Sequence, residues 1–239
     1  MLGDDIGSVL WKSMKKSGAV WEFQYQGNPR APHVGLRSGK HSDGFIDTLQ
    51  YLSNVDNLAW AARTLVGKLK KMISDERIDW VFGSPMAGIP FATACAMFLG
   101  IRRVGFTEKA GGDKELTCRF DVPARERFIV IEEMTTTGAT SQRGIEAVLE
   151  RNPKAVPLDV VGSFLIRCDE QPPALRGKSL ISLISLPELG IHYGEWEPSD
   201  CPLCKKGSRL IKNCKQVWSD LLQTMDDPNH SIPVHGSAC

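Results

Sequence analysis

Neither sign of charge dominates this sequence. Lys and Arg number 29, Asp and Glu number 28, and the net charge is +1. The basic excess of a nucleic-acid or membrane-surface binder is missing, and so is an acidic one. Long apolar runs are missing too. The longest, such as Phe91 to Ile101, fall short of the ~20 residues that a bilayer-spanning helix needs. The start, MLGDDIGSVLWKSMKK, puts acids before bases, the reverse of a signal peptide. The 7 cysteines are odd in number and scattered, which argues for a reducing compartment and against a disulfide framework. A cytoplasmic protein with no nucleic-acid partner and no membrane is therefore expected. Three common motifs are also absent. There is no G-x-x-x-x-G-K-[ST], because Gly177-Lys178-Ser179 lacks the earlier glycine, and there is no G-x-G-x-x-G or G-x-S-x-G. No internal repeat or low-complexity tract is present.

What is present suffices for a sizeable core. Apolar residues make up 42% of 239, enough for one α/β domain with additions or for two small domains. Residues 4 to 17 read as an amphipathic helix with Ile6, Val9, Leu10 and Met14 on one face. Residues 18 to 54 are rich in Gly, Pro, Ser and His, with strand-like pieces such as Gly44-Phe45-Ile46-Asp47. From Asp56 to Ile73 the pattern is helical, with Leu58, Ala62, Leu65, Leu69 and Met72 at turn spacing. Buried strands are predicted at 78–83, 102–107, 127–133, 158–166 and 179–186. Helices are predicted at 88–100, closed by Gly100, and at 138–150, with Ile145, Val148 and Leu149 inward. Such alternation, with strands apolar along their whole length, means a parallel sheet covered on both faces. Cys95 and the tryptophans 11, 21, 60 and 80 are expected in the core or, for the tryptophans, at an interface. The tail from Asp226 has little that could pack and is expected to be disordered.

Ligands of such sheets bind at the carboxyl ends of the strands. That gathers Ser84-Pro85-Met86-Ala87, Thr107-Glu108-Lys109 and the stretch from Glu132 to Thr140 at one edge. A helix starting near Gly138 aims its free N–H groups into the loop before it, which makes an anion site. Thr135, Thr136, Thr137 and Thr140 bring hydroxyls, while Gly138 and Ala139 let the backbone come close. A Thr-rich helix start alone more often binds nothing. Glu132 and Glu133 change that reading, because a carboxylate pair at the end of a central strand needs cations or hydroxyls as partners. Ribose hydroxyls and a Mg²⁺ ion would serve. An acidic pair beside a phosphate loop has the shape of a ribose-5-phosphate site.

These residues carry a resemblance. FIVIEEMTTTGAT (128–140) resembles the phosphoribosyl pyrophosphate (PRPP) signature of type I phosphoribosyltransferases. LRSGKHSDGFID (36–47), VFGSPMAGIPFATACAMFLGIR (81–102), FTEKAGGDKELTCRFDV (106–122) and WEPSDCPLCKKG (196–207) are similar, in order, to segments of the orotate phosphoribosyltransferases. The resemblance covers about residues 30 to 207. It implies a type I phosphoribosyltransferase α/β fold, with a central, mostly parallel sheet flanked by helices and a small hood. One domain over 1–225 is implied, with 1–54 and about 186–225 in the hood and 226–239 as the tail. It also implies transfer of ribose-5-phosphate from PRPP to orotate, giving orotidine 5′-monophosphate and pyrophosphate. Alternatives are another acceptor base, or a non-catalytic regulator that senses nucleotides. Implied PRPP contacts are Ser84, Pro85, Met86, Ala87, Gly88, Lys109, Lys114, Glu132, Glu133 and residues 135 to 140, with Lys109, Glu132 and Glu133 as catalytic groups and Arg119 as a further cation. Implied orotate contacts are Arg37, Phe45, Thr136 and Arg167. Mg²⁺ is expected as cofactor, bound mainly through PRPP, without a dedicated protein metal site. A homodimer with shared sites is implied.

The chain departs from the family's pattern at Glu133, where Asp is usual, and at Ala139, where Gly is usual. Arg37 stands where some members have Lys and others Ser. Arg167-Cys168-Asp169-Glu170 stands in place of an Asp-Arg pair. Cys201-Pro202-Leu203-Cys204 offers two ligands where a structural zinc takes four. Cys214, His192 and His230 are the candidates for the rest, but their spacing is wrong, so a structural turn is expected. His33 and His41 fall in the N-terminal loops and receive no role.

Overall fold

The computed structural model describes residues 4–24, 28, 31–73, 76–111, 115–168, 172–175 and 177–232. The first elements are helix α1 (Asp4–Lys16), strands β1 (Val20–Glu22), β2 (His33–Gly35), β3 (His41–Ser42) and β4 (Gly44–Ile46), and helices α2 (Thr48–Leu52) and α3 (Val55–Ile73). Next come β5 (Trp80–Gly83), α4 (Gly88–Leu99), β6 (Arg103–Lys109), β7 (Leu116–Cys118), β8 (Arg127–Thr135), α5 (Ala139–Arg151), β9 (Val156–Ile166) and β10 (Ser179–Ser185). The last are β11 (Glu195–Trp196), α6 (Pro202–Lys205), β12 (Leu210–Ile211) and α7 (Trp218–Asp226). The chain divides into two units, Met1–Trp11 with Tyr51–Ile191 and Lys12–Gln50 with His192–Cys239.

The first unit is built on a six-stranded sheet in the order β10-β9-β8-β5-β6-β7. Every pairing is parallel except β6 with β7. Side chains alternate across a strand, so consecutive residues of β8 serve different cores. Phe128 and Val130 join Phe82, Ile145 and Val148 on the α5 face. Ile131 points the other way, close to Leu65 and Leu69 of α3. With both faces covered, these strands read as unbroken apolar runs. Helix α4 ends at Gly100, which adopts φ 77° and donates its N–H to Ala96 and Met97. This is the left-handed stop expected from the sequence.

Two helix faces are turned from their expected setting. Met72 is 56% exposed and Ile73 is the buried end of α3. Val9 is 52% exposed, whereas Trp11 is buried. Trp60 is also exposed, unlike Trp11, Trp21 and Trp80.

The second unit carries a two-stranded sheet, β1 with β4, and a four-stranded sheet in the order β11-β3-β2-β12. Its core contains Trp21, Val34, Cys214, Trp218, Leu221 and Ile232. The Trp21 indole N–H donates to Thr224 Oγ1 at 3.0 Å, and that of Trp218 to the Gly18 carbonyl at 2.9 Å. Disorder was expected from Asp226 onward, yet Ile232 is buried. His230 and Asn229 add contacts to Asp220 and Asn28 in the same stretch. Residues 233–239 lie outside the described residues.

Candidate active site

The carboxyl ends of β5 and β8 lie side by side, with Gly83 paired to Ile131. Ser84 therefore arrives next to the acidic pair, and its N–H donates to the Ile131 carbonyl at 3.4 Å. The alternation of β8 then separates the two carboxylates. Glu132 points to the α5 face. There its Oε2 accepts from Thr135 Oγ1 at 3.4 Å and from Ser141 Oγ in a short hydrogen bond, and the Thr140 hydroxyl adds a third. Glu133 points to the opposite face, where it accepts from Ser84 Oγ at 3.3 Å.

The two acids consequently live in different environments. Glu132 is 5% exposed, and burial, with Glu133 as the second cause, pushes its carboxyl up to about 8. The three hydroxyls oppose that rise but do not cancel it. Glu133 is half-buried. Glu132 thus ties the first turn of α5 to β8 and holds the intervening loop. Thr135 Oγ1 also lies 3.0 Å from Ser163 Oγ on β9, so its single hydrogen is shared between Glu132 and Ser163 as alternative acceptors.

The loop between β8 and α5 exposes Thr136 and Thr137. Gly138 adopts φ 70°, and a Cβ there would lie 2.7 Å from Leu175 Cγ. Only glycine meets both demands. Helix α5 begins at once, with the N–H groups of its first turn directed at this loop, that of Ala139 donating to Thr137 Oγ1 at 3.4 Å. The Ser84–Gly88 loop closes on itself as tightly. A cis peptide joins Pro85 to Met86, and a Cβ on Gly88 would meet Ser84 Oγ at 2.3 Å. Pro85 and Ala87 are half-buried and Met86 is exposed. Two narrow loops rich in polar donors thus flank a carboxylate pair.

No protein-family model matches the chain. Among curated proteins it is 27% identical over 199 residues to an orotate phosphoribosyltransferase of Desulforamulus reducens, covering 83% of this chain and 96% of that one. It is 29% identical over 180 residues to the same enzyme of Caldanaerobacter subterraneus, covering 75% and 87%. Among solved structures, orotate phosphoribosyltransferase from Aeropyrum pernix superposes with a TM-score of 0.57 at 25% identity, over 76% of this chain and 98% of that one. Over most of its length the chain is similar to orotate phosphoribosyltransferases, and it has the same α/β fold as the solved one.

The departures from the family's signature have local explanations. The left-handed residue of the loop is Gly138, while Ala139 is the first residue of α5 and the only non-glycine with positive φ among the described residues is Arg125. A methyl group at 139 therefore strains nothing. Arg167 follows β9 directly, and its N–H donates to the Thr135 carbonyl at 2.9 Å. It stands beside the β8–α5 loop without an Asp-Arg pair. Lys109 is exposed at the end of β6, where it pairs with Leu116 of β7. The segment resembling a catalytic loop is therefore an antiparallel ribbon at its base. Lys114 lies outside the described residues, as do Asp169 and Glu170. Arg119 makes a two-point ion pair with Glu108, at 2.7 and 2.6 Å. No signal in the sequence marked that pair, nor Ser141 and Ser163 as partners of the acidic strand.

Arg37 and Phe45 belong to the second unit. Arg37 is exposed in the turn after β2, and the Phe45 ring lies 5.8 Å from that of Trp218. In the same unit, Cys204 and Cys201 meet His33 and His41. Cys214, His192 and His230, the candidates by sequence, are elsewhere. Cys214 is in the apolar core and His230 contacts Asp220 at 3.2 Å.

Proposed function

We propose that this chain transfers the ribose-5-phosphate group of PRPP to N1 of orotate, giving orotidine 5′-monophosphate and pyrophosphate. One observation carries the reading. A threonine-rich loop at a helix start, a carboxylate pair and a second tight loop converge at the ends of adjacent strands. In this reading Thr135 to Thr140 hold the 5′-phosphate, and Glu133 accepts from the ribose hydroxyls. Glu132 acts through the loop that it anchors, as a positioning residue. Ser84 to Gly88 hold the pyrophosphate.

The bond from ribose C1 to the pyrophosphate oxygen breaks, the bond from C1 to orotate N1 forms, and the proton that N1 carried is released to solvent. Positive charge builds on the ribose while negative charge builds on the leaving group. Lys109, carried by the β6–β7 ribbon, neutralises the latter where it develops. Arg167 is assigned to the orotate carboxylate, and the resemblance adds Arg37, Phe45 and Thr136 to that role. Mg²⁺ fits the oxygen donors present, since it takes one or two carboxylates together with phosphate oxygens. Held mainly through PRPP, with the Glu133 carboxylate available to it, the ion would supply charge neutralisation at the pyrophosphate. We further propose a cytoplasmic homodimer. No helix among the described residues is long and apolar enough to cross a membrane.

The test is loss of orotate absorbance with PRPP and Mg²⁺, beside a panel of other bases. Loss that requires both reagents is expected. Pyrophosphate release with a different base, and none with orotate, would overturn the acceptor.

A further inference from the structure

The cluster in the second unit lies outside the machinery described above. His33 comes from β2, His41 from β3, and Cys201 and Cys204 from the turn that opens α6. Their ligand atoms all lie within 4.8 Å of one another. The Cys204 sulfur is 3.3 Å from His33 Nε2 and 3.2 Å from His41 Nδ1, and those two nitrogens are 3.2 Å apart. A tetrahedral zinc, with Zn–S of about 2.3 Å and Zn–N of about 2.0–2.1 Å, sets sulfur and nitrogen about 3.6 Å apart and two nitrogens about 3.3 Å apart. The spacing is that of a coordination shell.

The outer contacts agree. Ser208 Oγ donates its single hydrogen to the Ala31 carbonyl at 2.5 Å. Its 2.8 Å contact with His33 Nδ1 must then be a hydrogen bond that the ring N–H donates. The proton sits on Nδ1, so Nε2 keeps its lone pair and turns it toward the two sulfurs. Ligating histidines are oriented in this way, by a partner on the ring nitrogen that does not bind the metal. The Cys204 N–H is aimed at Cys201 Sγ, at 3.5 Å. His33, His41 and Cys201 are buried, while Cys204 stands at the edge.

We propose that His33, His41, Cys201 and Cys204 bind a structural zinc ion. Two sulfurs and two imidazoles suit zinc, and four protein ligands leave no open position for a reacting water. The ion would fasten the C-terminal Cys-Pro-Leu-Cys turn to the β2–β3 hairpin. Strands in the sheet of this unit are only two or three residues long. Such short pairings gain most from a cross-link between the two ends of the chain. The site is independent of the proposed transfer reaction.

The test is elemental analysis of the full chain purified without chelators. One zinc per chain is expected in the wild type, and near-complete loss in C201S/C204S. Stripping the wild type with a strong chelator should lower its melting temperature, and zinc chloride should restore it. If the double variant fails to fold, cobalt chloride added to stripped wild type gives the same answer, through a thiolate-to-cobalt charge-transfer band and the intense visible bands of tetrahedral cobalt. A folded wild-type chain without zinc, with no cobalt spectrum and no response to zinc chloride, would overturn the proposal. So would full zinc content in C201S/C204S.

Discussion

Glu132→Gln should remove a pH dependence of stability that the buried carboxyl imposes. In the folded chain this carboxyl lies among three hydroxyls, and burial raises it from 4.5 to about 8. In the unfolded chain it ionises near its ordinary value. Between the two values the folded chain holds a proton that the unfolded chain has lost. Stability therefore falls as pH rises, by about 1.4 kcal/mol per pH unit for one proton. The decline begins near the unfolded value, about 4.5, and is complete above about 8. Over the whole window it amounts to roughly 5 kcal/mol, and at neutral pH to about 3 kcal/mol. Native domains have about 5–15 kcal/mol in total, so the effect is large. Gln keeps the length of Glu and cannot ionise. The variant should gain on the wild type as pH rises from about 5 to about 8, and show little relative gain at the acid end. Urea unfolding followed by tryptophan fluorescence, at several pH values for both proteins, measures this. The same stability difference between the two proteins at both ends of the range would refute the reasoning.

Lys109→Ala should lower kcat by roughly 10²–10³-fold and change PRPP affinity far less, because its partner charge grows in the transition state. Single-turnover kinetics beside a PRPP titration separates the two, and an unchanged kcat would remove Lys109 from the reaction. Glu133→Gln should weaken PRPP by about 1.5–3 kcal/mol, the range for hydrogen bonds to a charged group. Calorimetry giving wild-type affinity would contradict its role with the ribose. Gly138→Ala should lower the melting temperature by several degrees, since φ 70° and a 2.7 Å approach to Leu175 both oppose a side chain. Wild-type stability in that variant would show that the loop relaxes at no cost. Breaking the exposed Arg119–Glu108 pair should cost only about 0.2–1 kcal/mol in a double-mutant cycle.

By itself the sequence determined the parallel sheet, its long helices and the edge where the acidic pair meets the two loops. Those features are written locally. Apolar runs, turn-spaced leucines, a terminal glycine after α4 and the acid-acid-threonine stretch each lie within a dozen or so residues of chain. The strands of the second unit were not legible as a sheet, because two or three residues carry no period to read. Neither was the choice between Met72 and Ile73 as the buried end of α3, since a helix places neighbours about 100° apart and either could face inward. Only the tertiary structure decided that Glu132 is the anchored, buried acid and Glu133 the more open one. Two identical side chains in sequence acquire different roles from the pleat of β8 and from what packs on each side of it. The same holds for Cys201 and Cys204. Their partners, His33 and His41, lie more than 150 residues away in the chain, and spacing rules for metal sites describe only ligands that are near in sequence. Folding brings the four together by pairing strands from opposite ends of the chain, a fact that exists in three dimensions and nowhere in the linear order.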